Sequence, residues 1–278
     1  MKKGWGIFPG IVGALIAAAL IAPGSAAAQN LDFSSSDSDL PIEVQADDGI
    51  EWQQDGQVFL ARGNARATRG KVSINADLLR AYYRKGEKGG TEISRIDAVG
   101  SVEIVSGGET AFGDAAVYDV DKSVMVLSGK KVRLVTAQDE ITADRQIEYY
   151  ELKRMAVARG NAVARRADRT LKTEVLVAYF KNDKAGKSRI HRVDAFDEIY
   201  IKTTQDEVWA DRGVYNVDSG IVTLSGDVRI ARDDNKLAGC SAEVNLNTGV
   251  SKLKSCKGSG KRVRGVLKPT ERDRVKKN

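Results

Sequence analysis

Residues with catalytic potential are few in this chain of 278 residues. His191 is the single histidine, which leaves little room for a general base with an orienting partner. Asp119 and Asp121, like Asn216 and Asp218, carry oxygens that suit a cation, but both pairs stand in turn sequences where Asp and Asn are favoured for backbone geometry. Nucleophile-elbow, phosphate-loop and dinucleotide motifs are absent. The sequence therefore predicts a protein that is not an enzyme and uses no cofactor.

The two cysteines flank a turn sequence. A hairpin that turns at residues 247–249 and places Leu246 opposite Val250 also places Cys240 opposite Cys256. Directly opposed side chains lie close enough for a disulfide bond. We predict that bond, with two free thiols as the alternative. We predict no metal site, because the chain has a single histidine and no second cysteine pair.

The first 28 residues have the features of a bacterial secretory signal. Two lysines precede an apolar run over residues 11–22, and Ala26–Ala28 fits an A-x-A cleavage site. The run is shorter than the roughly 20 residues of a membrane span. We predict cleavage after residue 28, a flexible leader over residues 29–41, a periplasmic location and oxidising surroundings for the cysteines. A retained membrane anchor is the alternative.

The formal net charge of +6 is unevenly distributed. Residues 257–278 contain nine basic and two acidic residues, whereas the chain between the signal and this segment is close to neutral. In a nucleic-acid-binding protein we would expect cationic residues to form a stripe over the folded body. We therefore expect no nucleic-acid partner. The basic C-terminal tail should be solvated and disordered, or alternatively should contact anionic head groups.

The chain contains an internal duplication. Residues 50–129 align without a gap with residues 147–226, and the clearest anchors are Ala61–Ala65 against Ala158–Ala162, Asp97-Ala98 against Asp194-Ala195, and Leu127–Gly129 against Leu224–Gly226. Such repeats usually form stacked units that share one continuous core. We therefore expect function to reside in an elongated surface or groove. A single constellation of catalytic side chains is the less favoured expectation.

Residues 42–268 contain no proline, as expected if nearly every backbone N–H enters a sheet. Short segments rich in Val, Ile, Tyr and Ala alternate there with turn signals such as Asp55-Gly56. We therefore predict an all-β fold. Apolar residues recur at even spacing in four segments, as Ile74/Leu78, Val102/Ile104, Leu171/Val175 and Ile199/Ile201. Glycines recur at similar intervals, at Gly63, Gly100, Gly129, Gly160 and Gly226. Asp197 stands where this spacing predicts a further glycine.

Three stretches show a recurring order of motifs: Ala98–Ile104, then Ala115–Asp119 followed by Leu127–Gly129, then Arg212–Asn216 followed by Leu224–Val228. This order resembles the OstA repeat of the LptA-type periplasmic lipopolysaccharide-export proteins. The resemblance covers about residues 42–253. Asp197 in the place of a glycine and the cysteine pair depart from the family pattern.

The resemblance implies a folded antiparallel sheet, a V-shaped β-jellyroll, over residues 42–256. Its inner apolar face would hold the acyl chains of lipid A. Members of the family join end to end into a bridge from the inner-membrane lipopolysaccharide ABC exporter to the outer-membrane lipopolysaccharide translocon, and head-to-tail self-association is part of this expectation. A close variant is a membrane-anchored partner of the same fold.

We expect ten residues to line such an inner face: Ile74, Leu78, Val102, Ile104, Phe112, Leu171, Val175, Ile199, Ile201 and Trp209. Phe112 and Trp209 occupy equivalent places in the two copies. The alternative is that these side chains close a packed β core without cargo. Other functional alternatives are a structural β-solenoid or adhesin, and a carbohydrate-active β-helix, for which no cluster of carboxylates on one face is evident.

Overall fold

The computed structural model describes residues 41–86, 89–256 and 262–268, and every regular element within these ranges is a β-strand. The predicted signal peptide, nearly all of the predicted leader and most of the predicted tail lie outside the described residues. The strands are β1 (Glu43–Gln45), β2 (Gly49–Gln53), β3 (Val58–Arg69), β4 (Val72–Lys85), β5 (Thr91–Ser106), β6 (Glu109–Asp119), β7 (Val124–Ser128), β8 (Val132–Val135), β9 (Glu140–Ala143), β10 (Gln146–Tyr150), β11 (Met155–Arg166), β12 (Arg169–Asn182), β13 (Ser188–Lys202), β14 (Asp206–Asn216), β15 (Ile221–Arg232), β16 (Asn235–Asn245), β17 (Val250–Lys254) and β18 (Arg264–Val266).

All strands belong to one antiparallel sheet, so the predicted fold class is confirmed. Among the residues described, no helix has the length and apolar character needed to cross a membrane.

The sheet is folded along a line that cuts through its long strands. Each long strand changes register near its middle, and its two halves pair separately with their neighbours. We call the two resulting layers leaf 1 and leaf 2. Leaf 1 contains β2, β7, β10, β17 and the halves of the long strands that pair beside them. Leaf 2 contains β1, β8, β9, β18 and the remaining halves.

The fold line is built from left-handed backbone. Bulges bend four strands at two successive residues with positive φ, of which the first is glycine: Gly63-Asn64, Gly100-Ser101, Gly160-Asn161 and Gly226-Asp227. Glycine accepts this conformation without steric cost, and a bulge increases the local bend of a strand. The recurrent glycines of the sequence are therefore corner residues, with the exception of Gly129, whose φ is not positive.

Asp197 occupies a corner although it carries a side chain. Its φ is 64° and that of Glu198 is 52°. The hydroxyl of Thr173 on β12 donates to the carbonyl oxygens of Phe196 and Asp197, with oxygen–oxygen distances of 2.7 and 2.9 Å. The departure from glycine therefore leaves the corner in place.

Replacing Asp197 with glycine should stabilise the protein by about 0.5–1 kcal/mol, because a non-glycine residue pays a steric penalty in left-handed backbone. Urea denaturation would measure the gain. Lys252→Gly, at an exposed position of the edge strand β17, serves as control and should destabilise. A loss of stability in Asp197→Gly would contradict the corner interpretation.

The predicted register of the last hairpin is wrong by one residue. The structure pairs Asn245 with Val250 and Ser241 with Lys254 across a four-residue turn. The side-chain oxygen of Asn245 accepts hydrogen bonds from the N–H groups of Asn247 and Thr248 at 3.0 and 3.1 Å, which fixes this longer turn.

The structure joins Cys240 and Cys256 in a disulfide, with 5.1 Å between their Cα atoms. The bond ties the middle of β16 to the chain just after β17. Beyond it, Arg264–Val266 forms β18 and pairs with β16. Ordered pairing therefore continues into residues expected to belong to the tail.

The Cys240→Ser/Cys256→Ser double variant should lose about 2 kcal/mol of stability, because closing a loop of this size restricts the unfolded chain. Urea denaturation with and without a reductant would measure the loss. Reduced wild-type protein should match the double variant. Equal midpoints for oxidised and reduced wild type would show that the bond does not stabilise the fold.

Candidate functional site

The two leaves face each other and share an apolar interior. Buried residues from both leaves form one cluster between Ala61 and Ala162 and a second cluster between Ala164 and Val244. Ile141 and Leu176 pack against both clusters. The interior therefore runs without a break from one copy to the next.

One line of apolar residues crosses the whole of leaf 1. Directly opposed residues of antiparallel strands point to the same face, so a chain of register partners traces one face of the sheet. This first apolar row consists of Ile50, Ala61, Leu79, Ala98, Ala116, Leu127, Ile147, Ala158, Leu176, Ala195, Gly213, Leu224, Ala242 and Leu253.

A matching line crosses leaf 2. This second apolar row consists of Val44, Ala67, Ile74, Ile104, Ala111, Leu134, Ile141, Ala164, Leu171, Ile201, Val208, Ile230, Leu237 and Gly265. Every strand of each leaf contributes one residue to its row, and no residue of either row is polar or charged.

The rows differ in exposure along their length. Within each copy they are closed, and Ile104 and Val208 are fully buried. Where the copies meet, Leu134, Ile141 and Leu176 are only partly buried. At the β1–β2 edge the first row begins with Ile50, which is 53% exposed. At the β17–β18 edge Leu237 and Leu253 are partly buried and Gly265 is exposed. The interior is therefore least covered at its two edges and partly covered at its middle.

Six of the ten predicted lining residues lie on this inner face. Ile74, Ile104, Leu171 and Ile201 belong to the second apolar row, and Val102 and Ile199 lie next to it, toward the fold line. All six are buried.

The other four lie on the outer face, and for two of them the reason is the bulges. Leu78 and Ile74 would share a face in a regular strand, but at the fold line the extra residue lies on β5, so β4 covers the same distance with one residue fewer and Leu79 points inward. The same arrangement at β12 turns Leu176 inward and leaves Val175 outside.

Phe112 and Trp209 also lie on the outer face, since the residues beside them in sequence are buried in the interior. The Arg133 guanidinium lies 4.5 Å from the ring centre of Phe112. Trp209 packs against Tyr200, with ring centres 5.5 Å apart. Their equivalence in the two copies therefore reflects outer-face packing with cations and aromatic rings.

The inner residues missed by the sequence argument include Leu79, Leu127, Leu176 and Leu224. Each is identical in the two aligned copies, as Leu79 with Leu176 and Leu127 with Leu224. Identity between the copies is therefore the sequence signal that could have found these four residues.

Charged residues border the interior where leaf 2 ends. Arg232 pairs with the buried Asp206 through two hydrogen bonds of 2.7 Å, and hydrogen bonding with Asp206 raises the pKa of Arg232. Arg166 pairs with Asp139, from Nε to Oδ1 at 2.6 Å. The end of leaf 2 is therefore a charged lip along an apolar interior.

Leaf 1 has two buried acids, Glu148 and Asp194, and both have arginine partners, Arg159 and Arg192. Burial alone would raise the pKa of Glu148, but hydrogen bonds from Arg159, Gln146 and Tyr150 together lower it. Within the ranges the structure describes, no three His, Cys, Asp or Glu side chains come together as a metal site.

At both ends of the sheet, the outer edge of the last strand has no partner strand among the residues that the structure describes. β2 and β1 end the two leaves on one side, and β17 and β18 end them on the other. Trp52 on β2 is 57% exposed, stacks on Phe59 at 5.3 Å between ring centres and donates from Nε1 to the Tyr83 hydroxyl at 2.7 Å. An open edge of this kind is a template for strand addition.

Comparison with known proteins assigns the family. The model described as LptA/(LptD N-terminal domain) LPS transport protein matches residues 43–153 and again residues 140–250. The second match is displaced from the first by the same interval as the duplicated copies. An uncharacterized protein of Rhizobium meliloti (strain 1021) is 28% identical over 130 residues, which are 45% of this chain and 68% of that protein.

Among solved structures, LptH of Pseudomonas aeruginosa is described as the LptA homologous periplasmic component of the conserved lipopolysaccharide transport device. It aligns over 84% of this chain and 99% of its own, with 13% identity and a TM-score of 0.21. A score of that size adds no argument about the fold. The family model alone spans most of the chain, and the protein therefore belongs to the LptA/(LptD N-terminal domain) family of lipopolysaccharide transport proteins.

Proposed function

We propose that this protein carries lipopolysaccharide across the periplasm, from the inner membrane to the outer membrane, with the lipid A acyl chains on the inner face and without catalysis. The observation that carries the proposal is the continuity of the two apolar rows from one edge of the sheet to the other. A packed core needs an apolar centre, but it does not need apolar residues on every strand out to both edges.

The energetic reason for such a path lies in the cargo. Each buried CH₂ is worth about 0.8 kcal/mol, so exposing one acyl chain of about 12 carbons to water costs on the order of 10 kcal/mol. A carrier must therefore keep the chain covered over the whole distance. The row residues are small or medium-sized, so a chain can lie along them once the leaves separate.

The edges support the proposed partners. Strand addition at β1–β2 and β17–β18 would continue both leaves, and with them both apolar rows, into a neighbouring protein. We propose the inner-membrane lipopolysaccharide ABC exporter complex and the outer-membrane lipopolysaccharide translocon as the two ends of this bridge. Further copies of this chain, joined head to tail, would lie between them.

Photocrosslinking to lipopolysaccharide would test the inner-face path. A benzophenone side chain would replace Leu134, Ile141 or Leu176, which are inner and only partly buried. The same group at Val175 or Phe112 provides outer-face controls. We expect lipopolysaccharide adducts at the three inner positions and none at the two outer ones.

Adducts at inner and outer positions alike would indicate unspecific surface contact. A folded protein without any adduct would contradict the carrier proposal. That result would favour a structural β protein of the solenoid or adhesin type.

A further inference from the structure

Two arginines lie directly opposite each other on the charged lip of leaf 2. Arg166 on β11 and Arg169 on β12 are register partners on either side of the turn at residues 167–168. Both point to the inner face, because Ala164 and Leu171, two residues away along each strand, belong to the second apolar row. Like charges in this position repel, so an anion beside them would stabilise the pair.

Part of the hydrogen-bonding capacity of this pair is unused. Arg166 directs Nε and Nη2 to Asp139, while its Nη1 is buried and has no hydrogen-bond partner in the part of the chain that the structure describes. Arg169 has an ion pair with Asp168, 3.7 Å from Nε to Oδ1, and its guanidinium makes no hydrogen bond to a described residue. Asp168 instead accepts one from the Thr204 hydroxyl at 2.9 Å.

The two arginine side chains are partly shielded from solvent. The side chains of Arg166 and Arg169 are 13% and 29% exposed. Charge-assisted hydrogen bonds from guanidinium groups to phosphate oxygens are among the strongest in proteins, and they strengthen as water is excluded. A phosphomonoester has the oxygens needed to bind both guanidinium groups at once.

The position of the pair connects it to the interior. β11 pairs with β9, where Ile141 is the partner of Ala164, and Leu134 lies beside Ile141 on β8. These residues form the partly exposed junction between the copies. In the first copy the pair that corresponds to Arg166 and Arg169 is Arg69 and Val72. The double cation is therefore a feature of the second copy, next to the partly covered junction of the apolar rows.

We propose that Arg166 and Arg169 form a binding site for the phosphomonoester head group of an amphiphile whose acyl chains lie on the inner face at the junction. This inference rests on the proposed carrier function and adds to it a fixed place for the head group. Lipid A phosphates and free phosphate share the chemistry that the site recognises.

The test compares two lipids that differ only in phosphate. Lipid A with both phosphates and the same acylated disaccharide without phosphate would be titrated into full-length protein, with binding followed by intrinsic tryptophan fluorescence or thermophoresis. Arg169→Gln should weaken binding of the phosphorylated lipid about tenfold and leave binding of the other lipid unchanged. Arg165→Gln, one residue from Arg166 on the outer face, should change neither.

Each other outcome is decisive. Equal loss for both lipids in Arg169→Gln, or equal loss in Arg165→Gln, would overturn the head-group site. Binding of inorganic phosphate alone at micromolar concentration, lost in Arg169→Gln, would assign the site to free phosphate. If wild-type protein binds the two lipids equally, only the head-group site fails. If it binds neither, the carrier function fails with it.

Discussion

Replacing Gly100 with valine should lower the free energy of unfolding by about 3 kcal/mol or more, which is the largest stability effect we expect from one substitution. Gly100 has a φ of +80°, which a β-branched residue rarely adopts. A Cβ atom there would also lie 2.8 Å from Cγ of Asp77 and still closer to its Oδ2. The exposed Asp77 side chain must move aside, and because the corner holds the two leaves face to face, the strained backbone cannot relax without opening the interior. Urea denaturation followed by circular dichroism would measure the loss.

Gly186 allows the backbone penalty of a positive φ to be separated from the steric contact with Asp77. Its φ is +79°, but a Cβ atom there would meet nothing within 4 Å. Gly186→Val should therefore show the backbone penalty alone, about 1–2 kcal/mol. Adding Asp77→Ala to Gly100→Val should recover part of the difference. Equal losses at positions 100 and 186 would mean that close packing at the corner does not contribute.

The positions of the corners could be predicted from the sequence. Which side chains beyond each corner point to the inner face of the sheet could not. Glycine at Gly63, Gly100, Gly160 and Gly226 is required by the backbone conformation, so it appears as a regular signal. The bulge at each of these corners adds a residue to its own strand. On β5 the row residues Ala98 and Ile104 are therefore six apart, whereas on β4 their partners Leu79 and Ile74 are five apart, and it is on β4 that the alternation reverses. Ile74 and Leu78 keep even spacing in the sequence and still point to opposite faces, because pairing with β5 decides where the extra residue lies.

The pairing between strands of different copies could not be predicted from the sequence either. The duplication indicates two similar units, but the contacts that join them are pairings of β7 with β10 and of β9 with β11. These pairings make the two interiors continuous. The same limit applied to the last hairpin, where the Asn245 side chain selects a four-residue turn over the shorter one. Local signals placed the strands, and partner strands set their register.

The continuity of the interior leads to a large functional effect, which we expect in Leu176→Asp. Leu176 lies in the first apolar row at the junction and packs against both clusters. An acyl chain passing from one copy to the next must lie against this position. A carboxylate there keeps its water, so at least two CH₂ groups stay uncovered, and at about 0.8 kcal/mol each this weakens lipid binding about tenfold.

Val175→Asp is the matched control. Val175 is the adjacent residue of the same strand, is also partly buried and points to the outer face. Lipid A binding by the two variants would be measured by fluorescence titration, after thermal unfolding has shown both to be folded. We expect less than a twofold change for Val175→Asp. If the two variants lost binding equally, the acyl chains would not follow the inner face, and the continuous rows would be a structural core only. If only Leu176→Asp lost binding, the path between the copies would run through the junction, because a charge on the other face of the same strand would leave it open.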